Sequence, residues 1–116
     1  MSKLVRVYAG SDGQSHIEHL EFQLTEHDGT RTIARAVSEV SFAHRRAGAF
    51  TDFHPAPRRQ YVIYLSAGVE IAVGDGSSEL MDPGDVLIAE DTTGRGHTSR
   101  VRAGMGGLCA FVPIAD

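Results

Sequence analysis

The sequence predicts an all-β protein folded as one domain over residues 1–116, a sandwich or barrel of short strands. Three observations carry this. Apolar and polar residues alternate in several runs, the mark of a strand with one face in the core. Thirteen glycines and four prolines are scattered along the chain, and they punctuate those runs at about ten-residue spacing, as closely spaced strands require. No stretch holds a 3.6-residue apolar period for three turns, so no helix of ordinary length is expected.

The elements follow in order. Leu20, Phe22 and Leu24 alternate with Glu21, Gln23 and Thr25, a half-buried strand. Thr32 to Ala43 is rich in small and β-branched residues and is read as strand, with Ser38, Val40 and Phe42 on one face. Tyr61-Val62-Ile63-Tyr64-Leu65 is almost wholly aromatic or aliphatic and fits a strand covered on both faces. Val69, Ile71 and Val73 alternate with Glu70 and Ala72, and Gly74-Asp75-Gly76 then supplies the positive φ of a hairpin turn. Asp82-Pro83-Gly84-Asp85 is a second turn, and Val86-Leu87-Ile88 a short apolar strand. His97 to Arg102 and Leu108 to Val112 complete the series, about nine or ten strands in all.

Composition narrows the function classes. With 41% hydrophobic residues the chain supports a real core, roughly two-thirds of its unfolded surface being buried at this size. No apolar run approaches the roughly 18 residues of a membrane span, and the N-terminus lacks a secretory h-region. A formal net charge of -4 and the absence of a basic block argue against nucleic acid. Cys109 is the single cysteine, so an internal disulfide is impossible and a reducing cytoplasm is the expected address. Composition leaves a small organic molecule or another protein as the partner, and the small organic molecule is the one expected here.

The chemistry-bearing residues lie between Gly48 and His97. Gly48, His54, Ala56, Gln60 and Ala67 fall on the spacing Gly-x5-His-x-His-x3/4-Glu-x6-Gly. Gly84, Glu90, Gly94, His97 and Val101 fall on Gly-x5-Pro-x-Gly-x2-His-x3-Asn, with two residues inserted between Glu90 and Gly94. With the Pro83-Gly84-Asp85 turn, these segments resemble the cupin superfamily. The resemblance implies a double-stranded β-helix, or jelly-roll, barrel that commonly pairs as a homodimer. Cupin metal sites gather three His and one Glu. Here Ala56 and Gln60 replace two of the four, which leaves His54 and His97 as strong ligands and Gln60 as a weak third for a divalent ion (zinc, iron, manganese or nickel). A metal-free site stays open beside it. Glu90, Asp91 or His44 are candidates to complete the set.

Strand parity places Phe50, Asp52 and His54 on one face, and Gln60, Val62 and Tyr64 on one face. The expected lumen is therefore lined by Phe50, Val62, Tyr64, Val40 and Phe42. His97 and His54 are the candidate acid and base, because imidazole titrates near neutral pH, with Asp52 a candidate catalytic carboxylate. Gln60, Arg58, Tyr64, Phe50 and Val62 are the candidate substrate contacts. The first reading is an enzyme of specialised or catabolic metabolism that moves a proton in an isomerisation, cyclisation or elimination. The alternatives are an iron-dependent dioxygenase and a non-catalytic small-ligand-binding or sensing module.

Overall fold

The computed structural model describes residues 2–115. Its ten strands are β1 (Leu4–Ala9), β2 (Ser15–Leu20), β3 (Ser41–Arg45), β4 (Phe50–His54), β5 (Gln60–Tyr64), β6 (Val69–Ala72), β7 (Ser78–Met81), β8 (Val86–Glu90), β9 (His97–Val101) and β10 (Gly107–Pro113), with no helix among the described residues. The all-β class read from the sequence is what the chain adopts.

Six strands form one sheet in the order β2-β1-β8-β5-β10-β3, and four form the other in the order β4-β9-β6-β7. Apolar positions of period two face the space between them. Val5, Val7, Val62, Tyr64, Leu87, Ala89 and Cys109 come from the larger sheet, and Val69, Ile71, Met81 and Val101 from the smaller. Each fully buried aliphatic side chain here contributes about 1.5–3 kcal/mol.

The pairing is nested. β3 pairs with β10, β4 with β9, β5 with β8 and β6 with β7, all antiparallel. The innermost pair is the expected Asp75-Gly76 hairpin. Gly76 has φ 90°, and Asp75 Oδ1 accepts the Ser77 N–H at 2.7 Å. The Asp82–Asp85 turn also forms, with Gly84 at φ 95° and Asp85 accepting the N–H groups of Lys3 and Asp82 at 2.8 Å each. That clamp fixes the start of β1, which adds to β8 as a parallel neighbour and brings β2 with it.

Two expected strands differ. The alternation from Leu20 to Thr25 does not continue as strand, since β2 ends at Leu20. The Thr32 to Ala43 run becomes strand only from Ser41. Between them, residues 21–40 make two isolated bridges, Glu26 with Arg31 and Val37 with Ile114. This segment instead lies along the outer face of the larger sheet. Phe22, Ile33 and Val37 there line an open groove of about 570 Å³ together with Leu4, Tyr61, Ile63 and Ile88. Consecutive residues such as Leu20 to Gln23 and Thr32 to Arg35 border that groove, so the alternation in sequence has no ladder partner to make it a strand.

Candidate functional site

A cavity of about 250 Å³ lies between the sheets, walled by Arg45, Thr51, His54, Val62, Tyr64, Ile71, Leu87, Ala89, His97, Ser99 and Phe111. Its volume is below the range typical of drug-sized ligands. At about 30 Å³ per water, it matches roughly eight waters. His54 and His97 are direct cross-strand partners in the β4–β9 ladder. Their ring centroids are 4.7 Å apart and the planes are tilted by 54°. Nothing fits between rings so close, so a ligand meets both from the cavity side.

Each ring is held through Nδ1. His97 Nδ1–H donates to Asp91 Oδ2 at 2.6 Å, and His54 Nδ1–H donates to the Asp52 carbonyl oxygen at 2.7 Å. In both rings this leaves Nε2 as the free nitrogen. Asp91 is wholly buried. Its Oδ2 also accepts the Ser15 hydroxyl at 2.7 Å, its carbonyl accepts the Ala56 N–H at 2.9 Å, and its Oδ1 is buried without a protein partner. Ser15 opens β2, so the N-terminal hairpin supports the site from behind.

The loop between Asp91 and His97 folds as it does because of glycine. Gly96 has φ 82°, and a Cβ there would lie 1.9 Å from the His54 carbonyl oxygen. Gly94 has φ 78° and packs on the backbone of Gly13, whose carbonyl accepts the Arg95 N–H at 3.0 Å. Only glycine tolerates both the positive φ and the close approach.

The expected site residues divide into two groups. His54, His97, Val62 and Tyr64 wall the cavity. Phe50, Asp52, Arg58, Val40 and Phe42 do not. The β4 register shifts between Thr51 and His54, and such an irregularity reverses the face on which later residues point. Thr51 and His54 therefore share the cavity. Phe50 lies outside beneath Arg100, 4.4 Å from its ring centroid, and Asp52 is exposed and caps the Phe53 N–H. Arg58 forms an exposed ion pair with Glu39. Val40 and Phe42 are 56% and 65% exposed, and His44 points outward with Phe42. Gln60 is buried on the same strand face as Val62 and Tyr64 but is not a cavity wall. Glu90 is turned to the outer face, held by Arg6 at 2.6 Å and Arg59 at 2.6 Å. Of the candidates for completing the site, Asp91 is the one joined to it.

Arg45, Thr51, Ser99, Ser15 and Phe111 were not anticipated. Arg45 ends β3, and its alternation with Ala43 on the inward face was the available signal. Its Nη2–H donates to Ser99 Oγ on the opposite sheet at 3.3 Å. Burial, only partly offset by nearby Arg45, pushes the Tyr64 phenol well above its ordinary value, so it stays a neutral hydroxyl. Burial likewise pushes the Cys109 thiol up against the pull of Arg45, which leaves it an inert core group.

The donor set can be tested against the divalent ion that the cupin resemblance implies. Two imidazole nitrogens are the strong donors at the cavity. No group of three or more His, Cys, Asp or Glu converges among the described residues, and the Arg45 guanidinium shares the space. Two neutral ligands beside a fixed cation do not fit a tightly held dication.

Fold and site together define a two-sheet β protein with an oriented histidine pair in an interior cavity. No protein family matches the chain in sequence, and no curated protein matches it. No helix among the described residues is long and apolar enough to cross a membrane.

Proposed function

We propose that this chain is a cupin-type jelly-roll barrel acting in the cytoplasm as a small-molecule enzyme, with His97 and His54 moving a proton next to a carbonyl group. The nested order of the β3-to-β10 pairs supports the jelly-roll reading, since one long hairpin wound over two sheets has that pattern. The observation that carries the activity is the buried Asp91–His97 hydrogen bond, which fixes one ring tautomer and leaves Nε2 for a ligand, beside a second imidazole whose Nδ1 is also engaged. A buried carboxylate oxygen without a partner costs about 1–3 kcal/mol, a burden that suits a site better than a core.

In the proposed step His97 Nε2 takes the proton from the carbon, and the bond pair moves to the carbonyl oxygen as an enolate. Asp91 faces the resulting imidazolium with a counter-charge. The Tyr64 hydroxyl is the neutral donor in the same cavity. His54, when protonated at Nε2, either returns a proton to the neighbouring carbon, which completes an isomerisation, or protonates a β-leaving group as the enolate collapses and breaks its bond to carbon, which completes an elimination.

The test is carbon-bound deuterium uptake from D2O, followed by proton NMR over a panel of small oxo acids, esters and ketones. Wild type should exchange at least one class, and His97→Gln should exchange it about 10²–10⁴-fold more slowly. No exchange across the panel, or equal exchange by the variant, overturns the assignment. Stoichiometric iron in protein purified without chelator would favour the dioxygenase, and a co-purified metabolite without exchange the binding module.

A homodimer belongs to the same reading. The outer face of the larger sheet and the segment over it leave Phe22, Leu24, Ile33 and Val37 exposed, an apolar surface of the sort that a second copy covers.

A further inference from the structure

The Arg45 guanidinium is set apart from the other arginines by lining the cavity between the sheets; Arg35 lies over the Tyr61 ring and donates to its hydroxyl on the outer face. Arg6, Arg58, Arg59 and Arg102 face carboxylates, and Arg95 and Arg100 lie over Phe53 and Phe50. Arg45 lines the cavity between the sheets, and its one side-chain hydrogen bond among the described residues is to the neutral Ser99 hydroxyl. A guanidinium carries five N–H donors in a planar fork, so four are left to a ligand. No acidic side chain is among the cavity walls, and Asp91 is turned to His97 and Ser15 behind them. The rest of the wall has an apolar part, Val62, Ile71, Leu87, Ala89 and Phe111, beside the polar Thr51, His54, Tyr64 and His97. A cation held beside such a wall is stabilised by an anion that brings its own apolar body.

We propose that the cavity binds a small organic monocarboxylate, with Arg45 pairing with its carboxylate and the apolar wall covering its carbon body. This rests on the small-molecule reading of the cavity but not on proton transfer. It names Arg45 as the residue that sets substrate class. The carboxylate is anchored from β3, and the reacting carbon is left facing His54 and His97.

The experiment is calorimetric titration of the intact protein with small acids and their uncharged amides: acetate, pyruvate, crotonate and benzoate against acetamide, pyruvamide, crotonamide and benzamide. At least one acid should bind tenfold or more tightly than its amide, and its affinity should fall severalfold as sodium chloride rises. Arg45→Gln should abolish the acid preference, and Arg45→Lys, which keeps the charge but not the fork, should retain only part of it. An intact acid preference in wild type without carbon-bound deuterium uptake would count against the catalytic assignment alone, and uptake without an acid preference against this one alone. Should Arg45→Gln not fold, the acid–amide and salt comparisons on wild type decide alone. If no acid outbinds its amide, or if inorganic phosphate binds as tightly as the best acid, the assignment is overturned.

Discussion

Asp91 accepts two hydrogen bonds on one oxygen, from His97 and from Ser15, and this makes it the residue on which the orientation of the site turns. Asp91→Asn keeps the shape but allows the amide to donate as well as accept, so the His97 ring loses its enforced tautomer. The expected outcome in the deuterium-uptake assay is a loss of about 10²–10⁴-fold with the fold retained by circular dichroism. Uptake within a factor of two of wild type would remove Asp91 from the mechanism. The two histidines were legible from motif spacing, because His54 and His97 are fixed by the glycines around them. Phe50 and Asp52 were misplaced for one local reason. Parity counts residues, and the shifted register between Thr51 and His54 breaks the count. Arg45 was hidden within His44-Arg45-Arg46, where composition alone reads a solvated basic run.

Among the elements, the outer face of the larger sheet is tied by Glu90. Its carboxylate joins Arg6 on β1 to Arg59 just before β5. Burial by itself would raise the Glu90 carboxyl, but the two guanidinium hydrogen bonds and charges outweigh it and hold the group below its usual range. A depressed carboxyl stabilises the fold above the unfolded value near 4.3 and loses that contribution as pH falls through the lower folded value. Urea midpoints should therefore drop from about pH 5 to pH 3 in wild type and less steeply in Glu90→Gln. Both guanidinium groups are partly solvated, so the difference is at most about 1 kcal/mol. Parallel pH profiles would show that the clamp carries no net stability. Strands β5, β6, β8, β9 and β10 were readable because each has core neighbours that enforce its period. The segment 21–40 carries the same period without a ladder, and pattern alone does not separate those cases. The N-terminal hairpin went unread as an element, although Val5 and Val7 alternate with Arg6 and Tyr8.

For the whole molecule, the apolar groove and the segment lying on it make association the expected state. Light scattering at micromolar concentration should give twice the 12.5 kDa of one chain. Ile33, 71% exposed in the single chain, is the position to probe, and Ile33→Glu should shift the equilibrium toward monomer. A monomeric wild type would remove the dimer and leave the interior cavity unaffected.

The nested ladder also orders events in time. The β6–β7 pair closes over a tight turn, Ala72 opposite Ser78, whereas β3 meets β10 with Arg45 opposite Gly107. Closing distant contacts costs more chain entropy and is slow when it comes first. Folding is thus expected to start at the Asp75-Gly76 hairpin and to proceed outward, bringing β9 beside β4 late, β3 beside β10 later still, and β1 beside β8 last. The histidine pair and Arg45 sit on those outer arms, so competence to bind should trail secondary structure during refolding. Stopped-flow circular dichroism, run beside recovery of carboxylate binding, reads that lag directly. Simultaneous recovery of both signals would mean that the two sheets close on each other in one step.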